Sequence, residues 1–202
     1  LVYHLEDDQL IQVRSEKKIR YKRGVHTEFE LKLPMNINLN LKTAGGDIDV
    51  TDIRGESVLK TSGGDLDLEN LMGRIEAHTS GGDIDVSLVE GLIRVHTSGG
   101  DIGIMNSDGK FKASTSGGDL KFLQLTGNID AQTSGGSIRL RNIEGESVEC
   151  RTSGGDISAG YISANLTGKT SGGEIDLDNI KGHVDVSTSG GDIDIEQITG
   201  SL

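Results

Sequence analysis

Apolar and polar residues alternate along residues 43–202 in short runs that return with a fixed period. Counting from Thr43 as position 1, position 6 reads Ile48, Leu66, Ile84, Ile102, Leu120, Ile138, Ile157, Ile175 and Ile193, and position 8 is apolar in every copy. Charged or small polar residues flank them, as Asp65 and Asp67 flank Leu66. Alternation of this kind predicts a strand with one face buried. A second such run follows in each copy, for example Ile75 and Ala77 inward against Glu76 and His78, so two short strands are expected per copy. Position 11, between the runs, is apolar in eight copies, with Ser107 the exception.

The period is carried by the phrase Thr-Ser-Gly-Gly-acid-Ile/Leu, which starts at Thr43, Thr61, Thr79, Thr97, Thr115, Thr133, Thr152, Thr170 and Thr188, with Ala44 and Ser137 as departures. The step is 18 residues except for one of 19 after Thr133, which places an insertion near Ser147. Glycine recurs at positions 3, 4 and 13, where a coil needs positive φ or a close approach of neighbouring backbones, so two corners are expected per copy. So many glycines and β-branched residues exclude helix. One copy cannot bury its apolar side alone, whereas nine stacked copies build a continuous core. The fold class is therefore all-β: a single-stranded parallel β-solenoid of nine ~18-residue rungs, roughly 43 Å long at ~4.8 Å per rung. Right-handed winding is expected, because parallel β crossovers have that hand.

Composition agrees with a thin, repetitive core. Aromatics are 3% of the chain, Trp is absent, Pro34 is the single proline, and 26 of the 30 glycines fall in the three recurring positions. Cys150 has no partner for a disulfide and shares an inward position with Ala77 and Val95, which makes it a small buried hydrophobe. Residues 1–42 lack the period and read as an N-terminal β cap or lead-in to the array at 43–202, with strands over 28–33 and 37–41 separated by a turn at Pro34. This segment has a net charge of +2 against −14 for the repeats. Its basic run at 17–23 is a docking candidate, but an acidic chain without interleaved aromatics argues against nucleic acid. No stretch is apolar and long enough to span a membrane, no signal peptide is visible at Leu1, and the start at Leu1 suggests a processed or trimmed chain.

The repeated phrase, entered through Leu-x-Leu-Pro-x-x-x-x-Leu-x-Leu-Lys-Thr at 31–43, resembles a bacterial adhesin-like family of β-solenoids without an assigned biochemical activity. The likeness covers about residues 28–202 and implies an extracytoplasmic interaction role, in the cell envelope or at the surface. It carries over no catalytic residue and names no ligand.

Two outward positions concentrate the charge. Position 5 is acidic in eight of nine copies, as Asp47, Asp65, Asp83, Asp101, Asp119, Asp156, Glu174 and Asp192. Carboxylates ~5 Å apart repel by about 0.8 kcal/mol per pair even in water, so something must offset them. Acceptance of backbone N–H bonds or hydroxyl bonds at the Gly-Gly corner would do so, which makes these residues structural. Calcium is the alternative for a row of carboxylates, but the second glycine and spaced Asp of the calcium-binding nonapeptide repeat are missing, and no cofactor or metal is assigned. Position 7 instead varies, from Asp49, Asp67 and Asp85 through Gly103 to Lys121, Arg139, Ser158, Asp176 and Asp194. A mixed solvated face keeps a solenoid soluble. The variation also offers a binding strip, with Asp49, Asp67, Asp85, Lys121, Arg139 and neighbouring Arg141 as candidates. His78 and His96 should stack in adjacent rungs, two ligands short of a usual metal site.

Uniform short rungs without a cleft or a converging nucleophile, base and orienting group argue against an enzyme. The expected function is noncatalytic presentation of flat β faces to a protein or glycan partner. Self-assembly into homo-oligomers through open solenoid ends is the alternative.

Overall fold

The computed structural model describes residues 10–11 and 30–201, and every element among them is a β-strand. The strands are β1 (Leu10–Ile11), β2 (Asn38–Lys42), β3 (Ile48–Lys60), β4 (Leu66–His78), β5 (Ile84–Ser87), β6 (Glu90–His96), β7 (Ile102–Ser114), β8 (Leu120–Gln132), β9 (Ile138–Arg151), β10 (Ile157–Lys169), β11 (Ile175–Ser187) and β12 (Ile193–Ser201). All pair in parallel with their neighbours in chain order, β5 and β6 sharing one layer. The pairing Ile48↔Leu66, Leu66↔Ile84, Ile84↔Ile102 sets one 18-residue copy per layer, so the chain is a β-solenoid whose rungs begin at the nine threonines.

The core is the row of inward positions. Leu66, Ile84, Leu120, Ile138, Ile157 and Ile175 are fully buried, and Phe122, Phe111 and Cys150 fill the same interior. Each such aliphatic contributes about 1.5–3 kcal/mol by leaving water. Position 1 also turns inward: Thr79 and Thr97 are wholly buried with their hydroxyls bonded.

Two expectations about the rung are corrected. The expected pair of short strands is a single 13-residue strand in most rungs, such as β3, β4 and β7. Every rung bends at the same positions, so inter-rung hydrogen bonds continue through the bends. Only the third rung breaks, at Leu88–Val89, where the buried Ser107 hydroxyl of the next rung accepts the Val89 N–H at 3.1 Å and donates to the Met105 carbonyl at 2.7 Å. Ser107 thereby replaces a strand hydrogen bond, which explains the polar exception at position 11.

There is also a third bend. At position 10 the backbone is left-handed in all nine copies, on Asp52, Asn70, Leu88, Asn106, Gln124, Asn142, Tyr161, Asn179 and Gln197, with φ of 51–60°. Asn and Asp tolerate this region through local side-chain bonds; leucine and tyrosine do not. The Gly-Gly pair takes no positive φ. Its second member is required for space: a Cβ at Gly118 would lie 1.9 Å from the Gly100 carbonyl oxygen, whereas one at Gly117 would meet nothing nearer than 3.5 Å.

The inserted residue forms a bulge at Glu146–Ser147, whose two N–H groups share the Asn128 Oδ1 at 3.2 and 3.3 Å. Beside it, Gly145 and Ala164 do not take the left-handed φ of the other position-13 glycines, which is why alanine fits there. At the N-terminal side, β2 pairs with β3 from Leu39↔Ser57 to Lys42↔Lys60, and Asn36 bridges Arg54, so residues 36–42 stack as the second half of a rung. β1 adds to the outer edge of β2. Residues 30–33 form no strand, against expectation; 28–29 and the basic run 17–23 lie outside the described residues.

Candidate functional site

The Thr-Ser-Gly-Gly-Asp corner is a set of hydrogen-bonded ladders. From Thr61 onward each threonine hydroxyl donates to the position-4 carbonyl of the preceding rung and accepts the position-4 N–H of its own, as Thr97 does with Gly82 at 2.9 Å and Gly100 at 3.3 Å. Six position-5 carboxylates accept the N–H of the position-5 residue one rung on, whereas Glu174 and Asp192 make no such bond among the described residues; Asp47 accepts from Asp65, Asp65 from Asp83, Asp83 from Asp101 and Asp101 from Asp119, at 2.7–2.9 Å. The row continues from Asp119 to Ser137 and from Asp156 to Glu174, with the Ser137 hydroxyl accepting from Asp156 between them. A carboxylate that accepts backbone N–H groups is stabilised in its charged form. The Ser137 N–H, and then Arg139, hold Asp119 below the usual carboxylate range.

The outward strip of positions 7 to 10 behaves differently. Asp49, Asp67 and Asp85 stack in register on the first three rungs. Partial burial, then the neighbouring Asp49 and Asp85, push the Asp67 carboxyl up, and burial with Asp83 and Asp65 does the same to Asp85. The Asp85 carboxylate reaches into the space left by the missing side chain of Gly103.

Further along, Lys121, Arg139 and Arg141 line one groove of about 390 Å³ with Ser158, Gly160, Tyr161, Asp176 and Asp178. Arg139 Nη1 lies 2.9 Å from Asp119, and the Arg141 guanidinium stands 5.5 Å over the Tyr161 ring, a cation–π distance. The structure thus gathers Lys121, Arg139 and Arg141, and leaves Asp49, Asp67 and Asp85 on the same strip outside that groove, with Asp85 two rungs from Lys121. Ser158, Gly160 and the acidic wall escaped the sequence reading. Tyr161 had a signal: it is the one aromatic at position 10, otherwise held mostly by amides and Asp52. It has φ 58° and is 50% exposed.

The matched family model covers residues 34–112 and 105–201, nearly the whole array. The chain belongs to the Toastrack DUF4097 family. No curated protein and no solved structure matches it. Membership agrees with a repeat solenoid and assigns no role to any residue of the array.

Other chemistry on this Toastrack array is sparse. His78 and His96 stack with ring centroids 4.9 Å apart, and His96 Nδ1 lies 2.8 Å from the Ser114 hydroxyl. Burial, then the second imidazole, lower the His78 pKa. Cys150 is fully buried, which pushes its thiol far above the range in which a thiolate forms. Among the described residues, no three His, Cys, Asp or Glu side chains are placed to hold a metal ion, and no helix is long and apolar enough to cross a membrane. A second open groove, lined by Leu88 with Asp52, Asn70, Asn106 and Gln124, follows the position-10 bend over the first five rungs.

Proposed function

We propose that this Toastrack array is a noncatalytic, extracytoplasmic binding module of the adhesin type, whose flat outer strip engages a protein or glycan partner. The observation that carries this reading is Tyr161. A bulky residue in the left-handed region costs on the order of 1–3 kcal/mol, and here the ring is not buried in return. Strain without a packing benefit fits a side chain kept for contact with something else. The guanidinium of Arg141 over its face gives the groove an aromatic anchor and a cation, the two side-chain types that dominate binding hot spots.

The test is binding of the labelled chain to intact bacterial and host cell surfaces and to immobilised glycans. Tyr161→Ala and Arg141→Ala should each lower affinity about tenfold or more, as hot-spot truncations do. Asp49→Asn, on the far rungs, should change it little. Binding that is absent, or indifferent to both groove variants, would sink the reading.

A further inference from the structure

Charge on the outer strip is antisymmetric about the seventh rung at position 7 from Lys121 to Asp194 and at position 9 from Arg141 to Asp178, with uncharged Leu123 set against Glu196 beyond them. Positions 7 and 9 of that rung are the small residues Ser158 and Gly160. On one side stand Arg139 and Arg141, then Lys121; on the other stand Asp176 and Asp178, then Asp194. The two walls lie about 9.6 Å apart, two rungs at ~4.8 Å. No ion pair crosses the gap among the described residues; Arg139 turns to Asp119 and Arg141 to Tyr161.

A pattern that inverts its sign about a line is what a two-fold interface requires, since such an interface brings one patch against itself. We propose that rungs five to nine form a face-to-face dimer with a second copy of this chain. The two-fold axis lies in the interface, along the strand direction of the seventh rung. That operation keeps strand position and reverses rung order. Arg139 of one copy then faces Asp176 of the second, Arg141 faces Asp178, and Lys121 faces Asp194, each pair occurring twice. Gly160 meets Gly160 on the axis, where the absence of a side chain lets the sheets approach, and the Tyr161 rings meet at the edge.

The strip is small. Four residues by five rungs is roughly 13 by 24 Å, or ~300 Å² per copy against ~800 Å² for a standard interface. The net charge of −12 also opposes association. The dimer is therefore weak, and is expected at high concentration and moderate salt, where long-range repulsion is screened but contact pairs persist. This goes beyond the binding reading and does not rest on it; Tyr161 and Arg141 lie inside the overlap, so a partner at that groove would compete with the second copy.

The test is sedimentation of the full chain up to ~1 mM in 0.15 M salt, with R139E/R141E, with D176K/D178K, and with their equimolar mixture. Wild type should show a reversible dimer, each variant at least a tenfold weaker one, and the mixture should regain it, since four acidic residues of one variant then face four basic residues of the other, with the Lys121–Asp194 pairs unchanged. Regain in the mixture also shows that both variants are folded. Gly160→Cys should oxidise to a disulfide-linked dimer while Asp67→Cys stays monomeric; the space at Gly160 is open, with only the Asp178 carbonyl at 3.9 Å. A monomeric wild type without Gly160→Cys cross-linking, or variants that associate as wild type does, overturns the dimer. Surface binding that survives in a monomeric chain leaves the adhesion reading standing.

Discussion

The corner at positions 1 to 5 and the strip at positions 7 to 10 belong to the same rungs, yet they obey opposite rules. At the corner, nearly every copy repeats the same side chains because each one completes a hydrogen bond to the next layer; the Thr97–Gly82 and Asp101–Asp119 bonds recur along the array. On the strip, charge changes sign between the third and fifth rungs while the pairing register at position 7 is kept. Uniformity marks where stacking dictates the residue. Variation marks where the scaffold leaves the choice free.

Glycine gives the hardest test of that contrast. Gly118→Ala would drive a methyl into the Gly100 carbonyl, and we expect a loss of several kcal/mol and ~10 °C or more in melting temperature. Gly117→Ala, one residue earlier in the same corner, should be nearly neutral. Equal effects would show that the Gly-Gly pair is needed for flexibility rather than for closeness. Next in size is Thr133→Val, which keeps the shape but orphans the Gly118 carbonyl and the Gly136 N–H, at a cost of about 1–3 kcal/mol read in the same melt.

Two carboxylates then separate corner from strip by the sign of their pH dependence. Asp119 has a lowered folded pKa, so its contribution is present above the unfolded value and is lost as pH falls through the folded one. Asp67 has a raised folded pKa, so its ionisation destabilises the fold, and that penalty grows as pH rises from the unfolded value through the folded one. Asp119→Asn should lower the melting temperature at pH 7 and converge on wild type in acid. Asp67→Asn should raise it at pH 7 by about a degree or two, since the group is well solvated. Curves of the same sign would erase the distinction. Tyr161→Asn relieves left-handed strain and should raise the melting temperature by about 2 °C or more, while removing the groove's aromatic. A fall instead would make Tyr161 a packing residue.

Much of this was legible in the chain. The rung length, the inward rows at positions 6, 8 and 11, the stacked histidines and the insertion near Ser147 all follow from period and alternation, and each has its counterpart in the structure. The position-10 bend was not legible, because Asn and Asp serve equally in turns, caps and exposed strands, and Leu88 and Tyr161 hide the rule. The strand expected over 28–33 shows the reverse error: its alternation is genuine, but over residues 30–33 no neighbouring rung accepts its backbone. The acidic wall of the groove was not legible, because Asp176 is one more varying outward residue at position 7 and nothing within one copy sets Asp178 two rungs from Arg141.

The sequence by itself determined the solenoid, its period and its inward face, since these need only neighbours along one copy and the hydrophobic gain of hiding them. Tertiary structure alone decided which rungs confront one another, where the third bend falls and that Arg141 meets Tyr161. Those contacts join residues 18 or more apart, and only stacked backbones in one register bring them within reach of a hydrogen bond or a charge.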